Sequence, residues 1–154
     1  MPAQKVKDYL DQCGIKYITM KHSCAYTAQE IAALIHISGR DFAKIVIVMA
    51  NEEMVMVVLP ASQRIYLPDL REMMGTYEVR LAKENELRAA FPDCELGAMP
   101  PFGNLYGVQV YVAGSLAEEQ EIAFNAGSHT EVIPMNYVDF EDLVQSVVLE
   151  FITI

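Results

Sequence analysis

A mixed α/β domain is the fold class this sequence predicts, and three observations predict it. Two apolar runs, Ile45 to Met49 and Met54 to Leu59, are the right length for strands buried on both faces and are joined only by Asn51-Glu52-Glu53. Segments with helical periodicity are interspersed with these and other short strand-like runs. Several neighbouring strands have connections too short for parallel crossovers, so the sheet is expected to be mixed. At 154 residues and 53% hydrophobic, one domain spanning residues 1–154 can bury a sizeable core without disulfides or metal.

Taken in order, Val6, Tyr9, Leu10 and Cys13 recur at helical spacing and Gly14 follows as a stop, which predicts a helix near residues 2–13. Ile15 to Met20 reads as a strand. Thr27-Ala-Gln-Glu30 is a capping box, and Ala28, Ile31, Ala32 and Ile35 form one apolar face of a helix over about 28–36, closed by His36 near the negative end of its dipole. After the apolar pair, Pro68 to Met74 reads as a helix stopped by Gly75, Tyr77 to Leu81 as a strand and Glu84 to Phe91 as a helix. Strands are expected at Tyr106 to Val112 and Glu121 to Asn125, separated by a turn at Gly114 and an acidic segment, and again at Thr130 to Met135. Asn136 is placed to cap a last helix reaching about Gln145, and Val147 to Ile154 reads as a terminal strand.

Charge and composition exclude several classes of function. The net charge is −10, and the whole deficit is C-terminal: residues 1–88 hold all 11 Lys and Arg with 11 acids, residues 89–154 ten acids alone. A broad DNA-binding surface needs clustered Lys and Arg against phosphates, so any nucleic-acid contact is expected to be small and local. No apolar run approaches the roughly 20 residues that span a bilayer, and the N-terminus lacks the apolar core of a signal peptide. Three cysteines, Cys13, Cys24 and Cys94, form no CxxC pair and fit a reducing compartment. A cytoplasmic protein with no membrane partner is the expectation.

The chemistry-bearing motifs are few. His22-Ser-Cys24 has no second close pair to complete a zinc set, Pro92-Asp-Cys94 lacks the second cysteine of a zinc deaminase, and GxSxG, GxGxxG and phosphate-loop patterns are missing. No metal, no cofactor and no covalent nucleophile is therefore expected. What stands out is Gly97-Ala98-Met99-Pro100-Pro101-Phe102-Gly103, where glycines widen and prolines fix the backbone. Such a loop is either a surface crossover or a place where a ligand approaches the peptide groups. Lys44, just before a strongly apolar strand, is either a solvated strand end or an anchor for phosphate or carboxylate. His129, after the turn Phe124-Asn125-Ala126-Gly127-Ser128, either lines a cleft or belongs to an ordinary loop.

Together these residues resemble a known family. Thr27-Ala-Gln-Glu-Ile-Ala after His22, Ala43-Lys44 opening an apolar strand, Gly97-Ala-Met-Pro-Pro101-Phe102 and Ile122-Ala-Phe-Asn-Ala-Gly127 follow the order seen in YbaK-type proteins, freestanding relatives of the editing domain of bacterial prolyl-tRNA synthetases. The resemblance covers about residues 2–150. It implies a mixed α/β fold with a central, partly barrel-like sheet surrounded by short helices. It also implies hydrolysis of the ester joining a wrong amino acid to the 3′-terminal adenosine of a tRNA of the proline type. By that resemblance Lys44 holds the terminal phosphate or sugar end, Gly97 to Pro101 surround the aminoacyl carbonyl and the attacking water, and His129 lines the site. Tyr26, Phe102, Asn125, Gly127 and Ser128 complete the implied substrate contacts. The implied partners are the 3′ end of aminoacyl-tRNA and, alongside it, a synthetase or an elongation factor. Ala82-Lys83 departs from the family, whose members commonly carry a Thr cap there. Two readings from other classes stay open: a non-catalytic module binding a small amino-acid-like ligand or a protein through the same pocket, and a general small-ester hydrolase, which would lack a nucleophile.

Overall fold

The computed structural model describes residues 4–22, 27–34, 37–150 and 152–154. Tyr26, Cys24 and His36, named above, lie outside the described residues. Helix α1, Gln4–Gln12, buries Val6 and Leu10 and ends where Gly14 turns left-handed at φ 72°, letting Ile15 donate back to the Leu10 carbonyl at 3.0 Å. Helix α2 spans Ala28–Leu34, and the capping box is present in part: the Thr27 hydroxyl accepts from the Glu30 N–H at 3.1 Å and bonds the Glu30 carboxylate at 2.9 Å.

The two apolar runs form the expected hairpin, β2 (Ala43–Ala50) and β3 (Glu53–Pro60), paired along their full length. Its turn holds Asn51 and Glu52 at φ 50° and 64°, the conformation normally reserved for Asn-Gly. Asn51 tolerates it because its side-chain oxygen accepts from the N–H groups of Tyr77 and Glu78 at 3.1 and 3.0 Å, fixing the turn from outside. Helix α3, Leu67–Met74, stops at the left-handed Gly75, and β4, Val79–Leu81, is shorter than the strand expected from Tyr77. Helix α4, Glu84–Ala90, starts at Lys83, which offers no capping oxygen, so only the Glu86 carboxylate closes that end, accepting the Lys83 N–H at 2.8 Å.

Further on, a 3₁₀ turn at Gly103–Tyr106 takes the start of the expected strand, and β5 runs from Gln109 to Ala113. The turn at Gly114 is a short helix, α5, Gly114–Ala117. Strands β6 (Glu121–Asn125) and β7 (Glu131–Asn136) are antiparallel, and α6 covers Tyr137–Val144 with Gln145 left-handed behind it. Asn136 occupies the cap position but makes no side-chain cap bond there. The terminal strand is reduced to β8, Val147–Leu149, with one isolated bridge between Thr153 and Ile65.

The expected strand at Ile15 to Met20 survives only as β1, Met20–Lys21, and the cause is Pro134. Met20 pairs with Val132 and Lys21 with Glu131, so the next positions on the bonded side would set Ile18 against Pro134. Proline has no N–H to donate, and the ladder ends there. A cavity of about 310 Å³ opens at that point between residues 15–18 and Pro134–Asn136.

Two sheets result, β1-β7-β6 and β4-β2-β3-β5-β8, the second mixing antiparallel with parallel pairs. Their inner faces enclose the main core, where Ile47, Met56, Val58 and Val110 meet Ile122, Phe124, Ile133 and the α6 ring of Phe140. Helix α3 covers the outer face of the larger sheet through Leu70, and α2 covers the outer face of the smaller one through Ile31 and Ala32. Among the described residues the sheets meet at one parallel bridge, Phe42 to Ala123, and do not close into a barrel.

Candidate functional site

The Gly97 loop and the turn after β6 are brought together. Beyond Asn125, β6 gives way to a turn in which Gly127 adopts φ 107°, and the Ala126 N–H donates to the Glu131 carbonyl at 3.0 Å. Against this turn lies the Gly97 loop. The Glu95 N–H donates to the Gly127 carbonyl at 2.8 Å, and the Gly127 N–H donates to the Ala98 carbonyl at 2.9 Å, so loop and turn are zipped together by main chain. His129 adds a third tie. Its Nε2 lies 2.7 Å from the Leu96 carbonyl, which can only accept, so Nε2 carries the proton.

Within the loop, side chains and backbone have different tasks. Ala98, Met99, Pro100, Pro101 and Phe102 are all buried. Phe102 stands edge-on to Tyr9, Phe124 and Phe140, with ring centroids 5.9, 5.4 and 5.6 Å away, so its side chain anchors the loop in the core. Gly97 alone of these is exposed, at φ 83°, and among the described residues its N–H donates to no protein acceptor. What the loop presents outward is therefore peptide, unobstructed by a side chain.

Lys44 belongs to the other sheet. Phe42 and Ala123 face one way at the bridge, beneath α2, and side-chain alternation returns Lys44 and Asn125, each two residues on, to that face. The pairing of Asn125 with Val132, another residue packed beneath α2, agrees. The Lys44 ammonium donates to the Gln63 carbonyl at 2.6 Å. Burial first, and the nearby Arg64 charge second, lower its pKa below the ordinary lysine value. Asn125 is 7% exposed, and its Oδ1 has no hydrogen-bond partner among the described residues. A buried acceptor left so costs about 1–3 kcal/mol until a donor reaches it. Ser128, half-buried, shares a hydroxyl contact of 3.2 Å with Thr130.

The setting of Cys94 disfavours its thiolate. Its thiol is 3.2 Å from the Tyr106 hydroxyl, which donates to Asp93 at 3.1 Å, and burial pushes its pKa up to about 11. Among the described residues no group of three or more His, Cys, Asp or Glu could hold a metal ion, and no helix is long and apolar enough to cross a membrane. Glu95 is a contributor that sequence inspection passed over. Its carboxylate accepts the His129 N–H at 3.2 Å, a contact across 34 residues that no local spacing reveals.

A loop that exposes bare peptide, a half-buried lysine and a buried amide are the background to the sequence comparison. The family model for the aminoacyl-tRNA editing domain matches residues 22–143, a span holding Lys44, the Gly97 loop and the Asn125 to His129 turn. The chain belongs to the aminoacyl-tRNA editing domain family. A proline--tRNA ligase of Thiobacillus denitrificans is 38% identical over 77 residues, which are 50% of this editing domain and 13% of the ligase. The editing domain thus spans a small part of that relative's length. Among solved structures, the hypothetical protein APE2540 superimposes with a TM-score of 0.86 at 21% identity over 98% of this chain and 100% of its own. A protein proposed as a trans-editing enzyme for prolyl tRNA synthetase gives 0.83 at 18% identity, over 97% and 95%. A protein proposed for signal transduction from Marinobacter aquaeolei gives 0.77 at 14% identity, over 97% of the editing domain but 30% of that chain. At these identities the structural likenesses establish the fold shared with the editing domain.

Proposed function

We propose that this editing domain acts in trans as an aminoacyl-tRNA deacylase, hydrolysing the ester of a mischarged tRNA of the proline type by direct attack of water. The observation that carries the reading is the exposed Gly97 peptide, held rigid by the turn bonds and by the buried Phe102. An aminoacyl ester is already activated. A water held near 3 Å from its carbonyl, with a fixed N–H dipole aimed at the developing oxyanion, lowers the barrier without a strong base. Lys44 sits where a phosphate or ribose end arrives, and an anion there would relieve the crowding of two positive charges with Arg64. The buried Asn125 oxygen offers a hydrogen-bond donor of the substrate its missing partner. Only a single-stranded end need enter, which accommodates a net charge of −10, and a synthetase or elongation factor would supply the remaining tRNA contacts.

The test is a deacylation panel of Ala-, Cys-, Ser- and Thr-charged tRNAs, read with a rapid-quench time course and mass spectrometry of the protein. Turnover of at least one member without a burst is expected. An aminoacylated Cys or Ser would overturn the direct-water step, and binding without hydrolysis across the panel would overturn the enzymatic reading in favour of a binding module.

A further inference from the structure

We infer that Glu95 is a positioning residue for the Gly97 peptide, acting through His129 and the loop backbone rather than by touching substrate. The inference rests on the deacylase reading and deepens it.

Three separate hydrogen bonds converge on this one residue. Its N–H is held by the Gly127 carbonyl at 2.8 Å, its carbonyl receives the Ala98 N–H at 3.0 Å, and its carboxylate receives the His129 N–H at 3.2 Å. The first and third tie Glu95 to both ends of the turn Gly127-Ser128-His129, while the second closes a tight bend around Leu96 and Gly97. The orientation of the Gly97 peptide is set inside that bend, and His129 closes it by donating from Nε2 to Leu96. The side chain of Glu95 thus fixes the histidine backbone, whose ring fixes the residue preceding Gly97. No single bond in this circuit is strong, yet each removes a rotation the exposed glycine peptide would otherwise have.

The position is unusual for its charge. Glu95 is exposed, and an anion close to where an anionic tRNA end would arrive opposes binding rather than aids it. A carboxylate there is explained by what it accepts from, since an ionised oxygen makes the stronger bond to a backbone N–H. Neutral glutamine keeps an acceptor oxygen at the same reach, and alanine removes it.

The experiment compares Glu95→Gln and Glu95→Ala with the wild type in steady-state deacylation on whichever charged tRNA the wild type turns over best, beside amide hydrogen exchange of the free proteins. Glu95→Ala is expected to lower kcat about tenfold or more with KM within about threefold, and to speed exchange at His129 and Gly127. Glu95→Gln is expected to keep kcat within about threefold. A glutamine variant as slow as the alanine one, with His129 and Gly127 exchange unchanged, would show that the charge acts in turnover and not through the loop, and would overturn the positioning role. An alanine variant with wild-type kcat or unchanged His129 exchange would overturn it too. If the wild type hydrolyses nothing in the panel, the deacylase reading fails, while accelerated exchange at His129 and Gly127 would still establish the circuit in the folded chain.

Discussion

Replacing Gly97 by alanine separates backbone geometry from steric bulk. A Cβ built at Gly97 lies 3.5 Å from Cε1 and 3.9 Å from Nε2 of the His129 ring, ordinary van der Waals contact, so space is not the obstacle. The obstacle is φ 83°, which L side chains rarely adopt and which costs about 1–2 kcal/mol. For a chain of this size each kcal/mol moves Tm by about 2–4 °C, so Gly97→Ala is expected to melt roughly 2–8 °C lower. Relaxing that strain rotates the exposed peptide away from its presented direction, and kcat/KM for deacylation is expected to fall about tenfold. Gly97→Val goes further, because its methyl groups would press on the His129 ring and threaten its 2.7 Å contact with Leu96, giving a loss of roughly 10²-fold or more. Calorimetry and steady-state deacylation decide the matter together. A Gly97→Ala protein with unchanged Tm and unchanged kcat/KM would refute the reasoning, and a lowered Tm with full specific activity would leave the loop structural only.

Other perturbations have equally definite outcomes. Lys44→Ala is expected to fold normally and to lose about 2–4 kcal/mol in kcat/KM, the range for losing a hydrogen-bonded charge contact, and near-wild-type deacylation would contradict the anchor. Lys7→Ala leaves the Glu131 carboxylate, 7% exposed and 2.7 Å from the Lys7 ammonium, without its cation. Urea denaturation is expected to register a loss of about 1–3 kcal/mol, and no change would mean that water replaces the lysine fully. Cys94 holds its proton up to about pH 11, because burial disfavours the thiolate, so at pH 8 an alkylating reagent is expected to modify exposed Cys13 first. Peptide mapping that found Cys94 modified as fast as Cys13 would contradict the buried setting.

How far the sequence reveals this molecule depends on where each residue's partners lie. The β2–β3 hairpin is legible because its determinants are local: twelve or so residues of unbroken apolar character with a short polar joint. Gly75 as a helix stop is legible for the same reason, and so are the Gly97 loop and the Asn125 to Gly127 turn as motifs. Their union is not, since it rests on main-chain bonds between segments about 30 residues apart. Ile15 to Met20 has every local feature of a strand and fails because of a proline on the facing strand. The burial of Phe102 among three other rings is a property of the packed core that spacing cannot carry.

The single backbone bridge between Phe42 and Ala123 has a dynamic consequence. Lys44 belongs to one sheet, Asn125 to the other, and little besides side-chain packing holds the two strands in step beyond that point. Free energies of local opening vary across a protein, and a seam closed by one bridge sits lower on that scale than the eight paired positions of β2 and β3. Amides of β2 facing β3 should therefore outlast those at Ala123 in hydrogen exchange by orders of magnitude. Separation of the sheets there would part Lys44 from Asn125 while both sheets remain folded, so loss of activity on warming should precede loss of β-sheet signal in circular dichroism.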